Sequence, residues 1–132
     1  MIETKQLELA DARAVVEAAQ KEAAANGWKI SVSVVDAGGH PILYERMDGA
    51  SPATARIAYE KARTAAMFRG PTGPMEDRIA ERLAMLALPG ATPVKGGVPL
   101  VAGGQVVGAV GISGVLPQQD HQVAEAGAAT VR

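Results

Sequence analysis

The sequence predicts an α+β sandwich built on an antiparallel sheet, in the element order α-β-β-α-α-β-β-α. Three observations lead there. Two stretches, 30–47 and 97–114, each hold a pair of β-rich runs around a glycine-bearing turn, the pattern of a hairpin. Alanine-rich segments with apolar residues every three or four positions lie before, between and after them. The order also lacks the regular strand-helix alternation of a doubly wound parallel sheet. Because a helix with one apolar stripe needs one partner surface, the helices are expected to cover a single face of the sheet.

The first helix is expected from Thr4 to Asn26, with Leu9, Ala12, Val16, Ala19 and Ala23 on one stripe and Asn26-Gly27 ending it. Lys29 to Asp36 alternates Ile30, Val32 and Val34 with Ser31 and Ser33, which reads as a half-buried strand. The turn 36–41 leads to a second strand, Ile42 to Met47. Ala53 to Phe68 carries alanines and Tyr59 at helical spacing. After the breakers Gly70-Pro71-Thr72-Gly73, a third helix is expected from Pro74 to about Leu88, its stripe being Met75, Ile79, Leu83 and Leu86. Pro99 lacks a ladder donor, so its strand starts there or lies at an edge. A final helix is expected from Asp120 to Thr130, with Asp120 as its N-cap.

The chain of 132 residues fits one domain, residues 1–132, large enough to close a core without staples. It has no cysteine, which excludes disulfide scaffolds, thiolate metal sites and thiol nucleophiles. With 13 basic and 14 acidic side chains, it has no positive field to draw in nucleic acid or anionic lipid. Aromatic residues make up only 3%, so the core must rest on small and branched aliphatic side chains that bury little area each. Subunit association is one way to recover that margin. The N-terminus lacks a basic stretch followed by an apolar run, and no apolar stretch reaches membrane-spanning length, so a cytoplasmic protein is expected.

Several residues are candidates for chemistry. Gly108, Gly111 and Gly114, at intervals of three, remove side chains from both faces of a strand, either for a ligand or for a closely packed helix. Ser113, Gly114, Asp120 and His121 fall between a strand end and a helix start, where backbone amides attract an anion. His121 is a candidate base or metal ligand there, or a plain surface residue. His40, in the first hairpin turn, is a second candidate ligand or an exposed turn residue. Lys61, beside the alanine stripe of the second helix, could anchor a carboxylate if that helix borders a cleft. Asp77, Arg78, Glu81 and Arg82 read as a solvated, salt-bridged helix face.

Five blocks in order carry a family likeness: Val35-Asp36-Ala37-Gly38-Gly39-His40, Arg46-Met47-Asp48-Gly49-Ala50, Lys61-Ala62-Arg63-Thr64-Ala65, Gly96-Gly97-Val98-Pro99-Leu100 and Val107 to Gly114, followed by Asp120. They resemble the GlcG/HbpS family of haem-binding-like proteins over nearly the whole chain. The resemblance implies a profilin-like fold, an antiparallel sheet flanked by helices, assembled into homo-oligomers. It also implies that haem is a cofactor for some members, while others accompany small-molecule catabolism. No universal axial ligand comes with it, so His121, His40 and the methionines stay candidates.

The leading expectation is an oligomeric binding protein for haem or a related carboxylated small molecule. Lys61, Gly111, Ser113, Gly114, Asp120 and His121 would contact that ligand. The alternative is a cofactor-free isomerase, dehydratase or lyase acting on a small organic acid or carbonyl compound. There His121 would be the base, Asp36 or Asp120 its orienting partner, and Lys61 the charge anchor. A third is an accessory subunit that docks a partner through its glycine-rich surface. The first two share one spatial expectation, a hollow between the end of the fourth strand and the start of the last helix.

Overall fold

The computed structural model describes residues 1–132. The elements follow in the expected order: α1 (Leu9–Ala25), β1 (Ser31–Asp36), β2 (Pro41–Arg46), α2 (Ala53–Met67), α3 (Gly73–Ile79), a 3₁₀ turn (Leu83–Ala87), β3 (Gly97–Ala102), β4 (Gln105–Ser113) and α4 (Pro117–Ala128). All strand pairs are antiparallel, and the sheet runs β2-β1-β4-β3, so the two hairpins meet along β1 and β4. Ser31 pairs with Ser113 and Asp36 with Gly108. Pro99 lies on the edge strand β3, where a missing donor costs no ladder bond on its open side.

The helices cover both faces, not the single face expected. On one, Val32, Val34, Val110 and Ile112 pack against Val15, Val16 and Ala19 of α1 and Val123 and Ala124 of α4. On the other, Val35 and Ala109 meet Ala62, Ala65 and Ala66 of α2. Ser31 and Ser33, whose alternation suggested a solvent face, are buried on this second side. Ser31 is accommodated because its hydroxyl bonds that of Thr54 at 2.8 Å. Small side chains here let α2 lie almost on the backbone. A Cβ at Gly111 would collide with the Ala58 carbonyl and the Ala62 amide, so the glycine spacing serves helix packing.

The third helix stops at Ile79, nine residues before the expected end. Arg82 is extended (φ −140°, ψ 83°), and the following turn buries none of its residues. Of the expected stripe, Met75 is buried, while Leu83 and Leu86 are 71% and 62% exposed. Both sheet faces are already occupied, and a short helix with no packing partner is not stable in water. The last helix starts earlier than expected, at Pro117, with Leu116 as N-cap. Asp120 is therefore inside α4, and His121 lies beyond its first turn.

Because α2 sits so close to β4, Gly111→Ala is expected to destabilise the fold by about 3 kcal/mol, the upper range for overpacking. Urea unfolding measures it; a loss below about 0.5 kcal/mol would show that α2 can shift away freely.

Candidate functional site

Lys61 projects from the middle of α2 past the end of the sheet. Its Nζ donates to Asp120 Oδ2 at 2.9 Å and to the Ile112 carbonyl at 3.0 Å. Both side chains are only 3% exposed. The second carboxylate oxygen, Oδ1, accepts the Val115 amide at 3.1 Å. Burial pushes the Asp120 carboxyl above its ordinary value, against the pull of the Lys61 charge and of the hydrogen bonds from Lys61 and Val115. Gly96 closes the assembly. Its φ of 126° belongs to glycine, and a Cβ there would stand 2.9 Å from Lys61 Nζ.

The expected hollow is therefore filled within the chain. Lys61 is not free to meet a ligand carboxylate, since Asp120 already neutralises it. Asp120 has both oxygens engaged, by Lys61 and by the Val115 amide, and presents neither to a ligand. Ser113 is buried, Gly111 lies under α2, and Gly114 packs against Lys29 and Ile30. His121 is one-third exposed, with Nε2 3.0 Å from Glu125 Oε1 and Nδ1 buried without a partner.

The other candidates stand at the opposite end of the sheet. Asp36 Oδ1 accepts the amides of Gly38 at 2.9 Å and His40 at 3.0 Å, a side-chain turn that closes the β1-β2 hairpin. Since Asp36 is level with Gly108 while Ser31 is level with Ser113, the length of β1 separates His40 from His121. One chain thus forms neither a His40–His121 metal site nor an Asp36–His121 catalytic pair. No cluster of three His, Asp or Glu side chains is arranged to hold a metal ion.

The site that sequence reasoning missed lies beside the end of α2. Thr72 positions its first wall: its hydroxyl donates to the Val94 carbonyl at 2.6 Å and accepts the Gly97 amide at 3.0 Å, fixing the start of α3 against β3. The opposite wall is the 3₁₀ turn, moored to α2 where Arg63 donates to the Gly90 carbonyl at 3.0 Å and Thr64 Oγ1 accepts the Thr92 amide at 2.9 Å. Between them is a cleft of about 370 Å³ lined by Phe68, Pro71, Met75, Met85, Leu88 and Arg78. That size lies within the usual range for small-molecule sites. The salt-bridged face expected here is absent: Asp77 pairs with Lys95 at 3.3 Å, and neither Arg78 nor Arg82 has a carboxylate partner. Of the cleft's lining side chains, Met75 and Met85 carry thioethers that could meet an iron, and Arg78 carries a charge that could meet a carboxylate. The sequence signal was the run of breakers before Met75 together with two arginines four apart, which a continuous helix reading absorbed.

The fold is an α+β sandwich, a sheet with helices on both faces and a cleft at the end of α2. More specifically, the chain matches the family model described as "Haem degrading protein HbpS-like" over residues 7–129 and belongs to that family. It is 46% identical to Protein GlcG of Escherichia coli over 103 residues, 77% of each chain. A crystal structure of an HbpS double mutant from Streptomyces reticuli superposes with a TM-score of 0.92 at 33% identity, covering 100% of this chain and 91% of that one. A PduOC:Heme complex gives a TM-score of 0.87 at 26% identity, with 97% and 96% covered. The helix-flanked antiparallel sheet is the profilin-like arrangement that the resemblance implied. No helix is long and apolar enough to cross a membrane.

Removing one member of the buried pair is expected to be costly and asymmetric. Asp120→Ala strands an ammonium and should cost about 3–5 kcal/mol. Lys61→Met should cost at least about 1 kcal/mol less, because burial already tips the remaining carboxyl toward its neutral acid. The double variant Lys61→Met, Asp120→Leu should recover most of the loss. Denaturant titration of the three variants decides; equal single losses with no recovery in the double would contradict this account.

Proposed function

We propose that this protein binds haem or a related carboxylated small molecule in the cleft between the end of α2, α3 and the 3₁₀ turn. The observation that carries the reading is the unpaired Arg78 beside apolar walls that include two methionines. The haem complex of PduOC, similar over nearly its full length, supports haem as the first ligand to test. Haem, when bound, supplies a redox-active iron. The chain's own contributions are apolar faces from Phe68, Pro71 and Leu88, thioethers from Met75 and Met85, and the Arg78 charge for a carboxylate.

His121 is the competing iron donor, since Glu125 holds one ring nitrogen and the other has no partner. It stands on α4, across the sheet from the cleft. Titration of hemin followed in the Soret region separates the two placements. Arg78→Glu should weaken binding about fivefold or more, by replacing an attractive charge with a repulsive one, and Met85→Ala should alter the ligation band. His121→Ala should change neither. The converse pattern assigns ligation to His121, and the absence of any saturable band at micromolar hemin rejects haem binding.

Assembly into homo-oligomers is part of the same proposal. Side chains three apart on a 3₁₀ turn stack on one line. Met85 and Leu88 form one line and face the cleft, while Leu83 and Leu86 form another and lie open to solvent. Such exposed leucines suit a contact with a second copy. Sedimentation of a Leu83→Glu, Leu86→Glu variant should show smaller species than the parent at equal concentration; an unchanged distribution would place the contact elsewhere.

A further inference from the structure

Asn26 is the chain's one asparagine, and Gly27 follows it. It stands at the exposed end of α1 as the C-cap. An asparagine before glycine is open to attack on its own side chain, because the glycine nitrogen has no neighbouring Cβ to hinder its approach to the asparagine Cγ. Here the space is open as well, with nothing within 4 Å of the position that a Gly27 Cβ would take. The helix end nevertheless holds the reacting groups apart. Asn26 Nδ2 donates to the Glu22 carbonyl at 2.9 Å, and the Gly27 amide donates to the Ala24 carbonyl at 3.1 Å. Ring closure needs the Gly27 nitrogen eclipsed with the Asn26 Cβ, whereas a ψ of 2° eclipses it with the Asn26 backbone nitrogen.

We infer that Asn26 is a self-modification site, deamidating when the last turn of α1 opens, and that the product weakens the hold of α1 on β1. On opening, the Gly27 nitrogen bonds to Asn26 Cγ and loses its proton, while the Cγ–Nδ2 bond breaks and ammonia leaves. Water then adds to one of the two carbonyls of the succinimide so formed, leaving an aspartyl or an isoaspartyl linkage at position 26. Water is the sole co-reactant, and nothing is oxidised or reduced. Either product replaces the donor to Glu22 with a carboxylate at the negative end of the helix dipole, and the last turn has no basic side chain to offset it. The same turn holds the Trp28 amide on the Ala23 carbonyl at 2.9 Å, and Trp28 packs against the larger core just before β1. Helix ends open at far lower free energies than a core does. The mark therefore accumulates with time spent open, and each marked chain opens more readily.

Tryptic peptide mass spectrometry over a time course in mildly alkaline buffer tests the site, with the full chain folded and with it unfolded in guanidinium chloride. The amide-to-acid mass gain should appear in the peptide 22–29 before any other, as two products that separate by chromatography. Asp48-Gly49 can close the same ring, but its products leave the mass unchanged. The folded chain should convert about tenfold more slowly than the unfolded one, the factor set by a modest opening cost at a helix end. A first gain outside 22–29 overturns the site. Equal rates in the two states overturn the gating by α1, and so does no gain in the folded chain over about a hundred half-lives of the unfolded one. Asn26→Asp tests the consequence, with Trp28, the chain's one tryptophan, as reporter. Its melting temperature should fall by about 3 °C, and Trp28 emission should move to the red. Unchanged melting and emission would show that this cap does not hold α1 to β1, which overturns the second half of the inference.

Discussion

The ion pair between Lys61 and Asp120 is the constraint on which the rest of the molecule depends. The two residues come from helices on opposite faces of the sheet, so their contact at the end of β4 fixes the two helical layers against each other. Burying opposite charges is costly, and the cost is offset only because each charge has further partners, the Ile112 carbonyl for the ammonium and the Val115 amide for the carboxylate. Gly96 and Gly97 follow from the same geometry. The backbone that crosses the pair has no room for a side chain.

With α2 held at this point, its alanine face must approach the sheet closely, and the glycines of β4 make that approach possible. The helices so placed bury the central strands β1 and β4, while the edge strand β2 stays largely exposed. The segment after α3 packs into neither core cluster, and its residues Leu83, Leu86 and Leu88 end on the surface. The cleft lies outside both core clusters. Its walls are held by polar side chains of α2 and the loop before α3, namely Arg63, Thr64 and Thr72.

Much of the fold was legible because hairpins and alanine stripes are local signals. The two β-rich stretches, the glycine turns and the edge position of Pro99 all emerge from short-range chemistry. The single-face expectation failed because Ser31 and Ser33 look the same in a sequence whether water or a helix covers them. Only tertiary packing supplies the Thr54 hydroxyl that makes Ser31 comfortable when buried. The third helix was overdrawn for a related reason: periodicity at Leu83 and Leu86 says nothing about whether a partner surface exists.

The site was less legible than the fold. Lys61 and Asp120 were read as ligand contacts; they meet at the strand-helix junction as each other's partners. Arg78 and Arg82 were read as part of a solvated, salt-bridged face on a helix running to about Leu88, yet neither has a carboxylate partner. Finding the cleft in the sequence would have required knowing that this helix stops at Ile79.

A crystal structure of the protein soaked or grown with hemin tests the central claim most directly. The account predicts porphyrin density between the end of α2 and the 3₁₀ turn, against Phe68 and Met85. Density on the α4 side at His121, with that cleft empty, would contradict it.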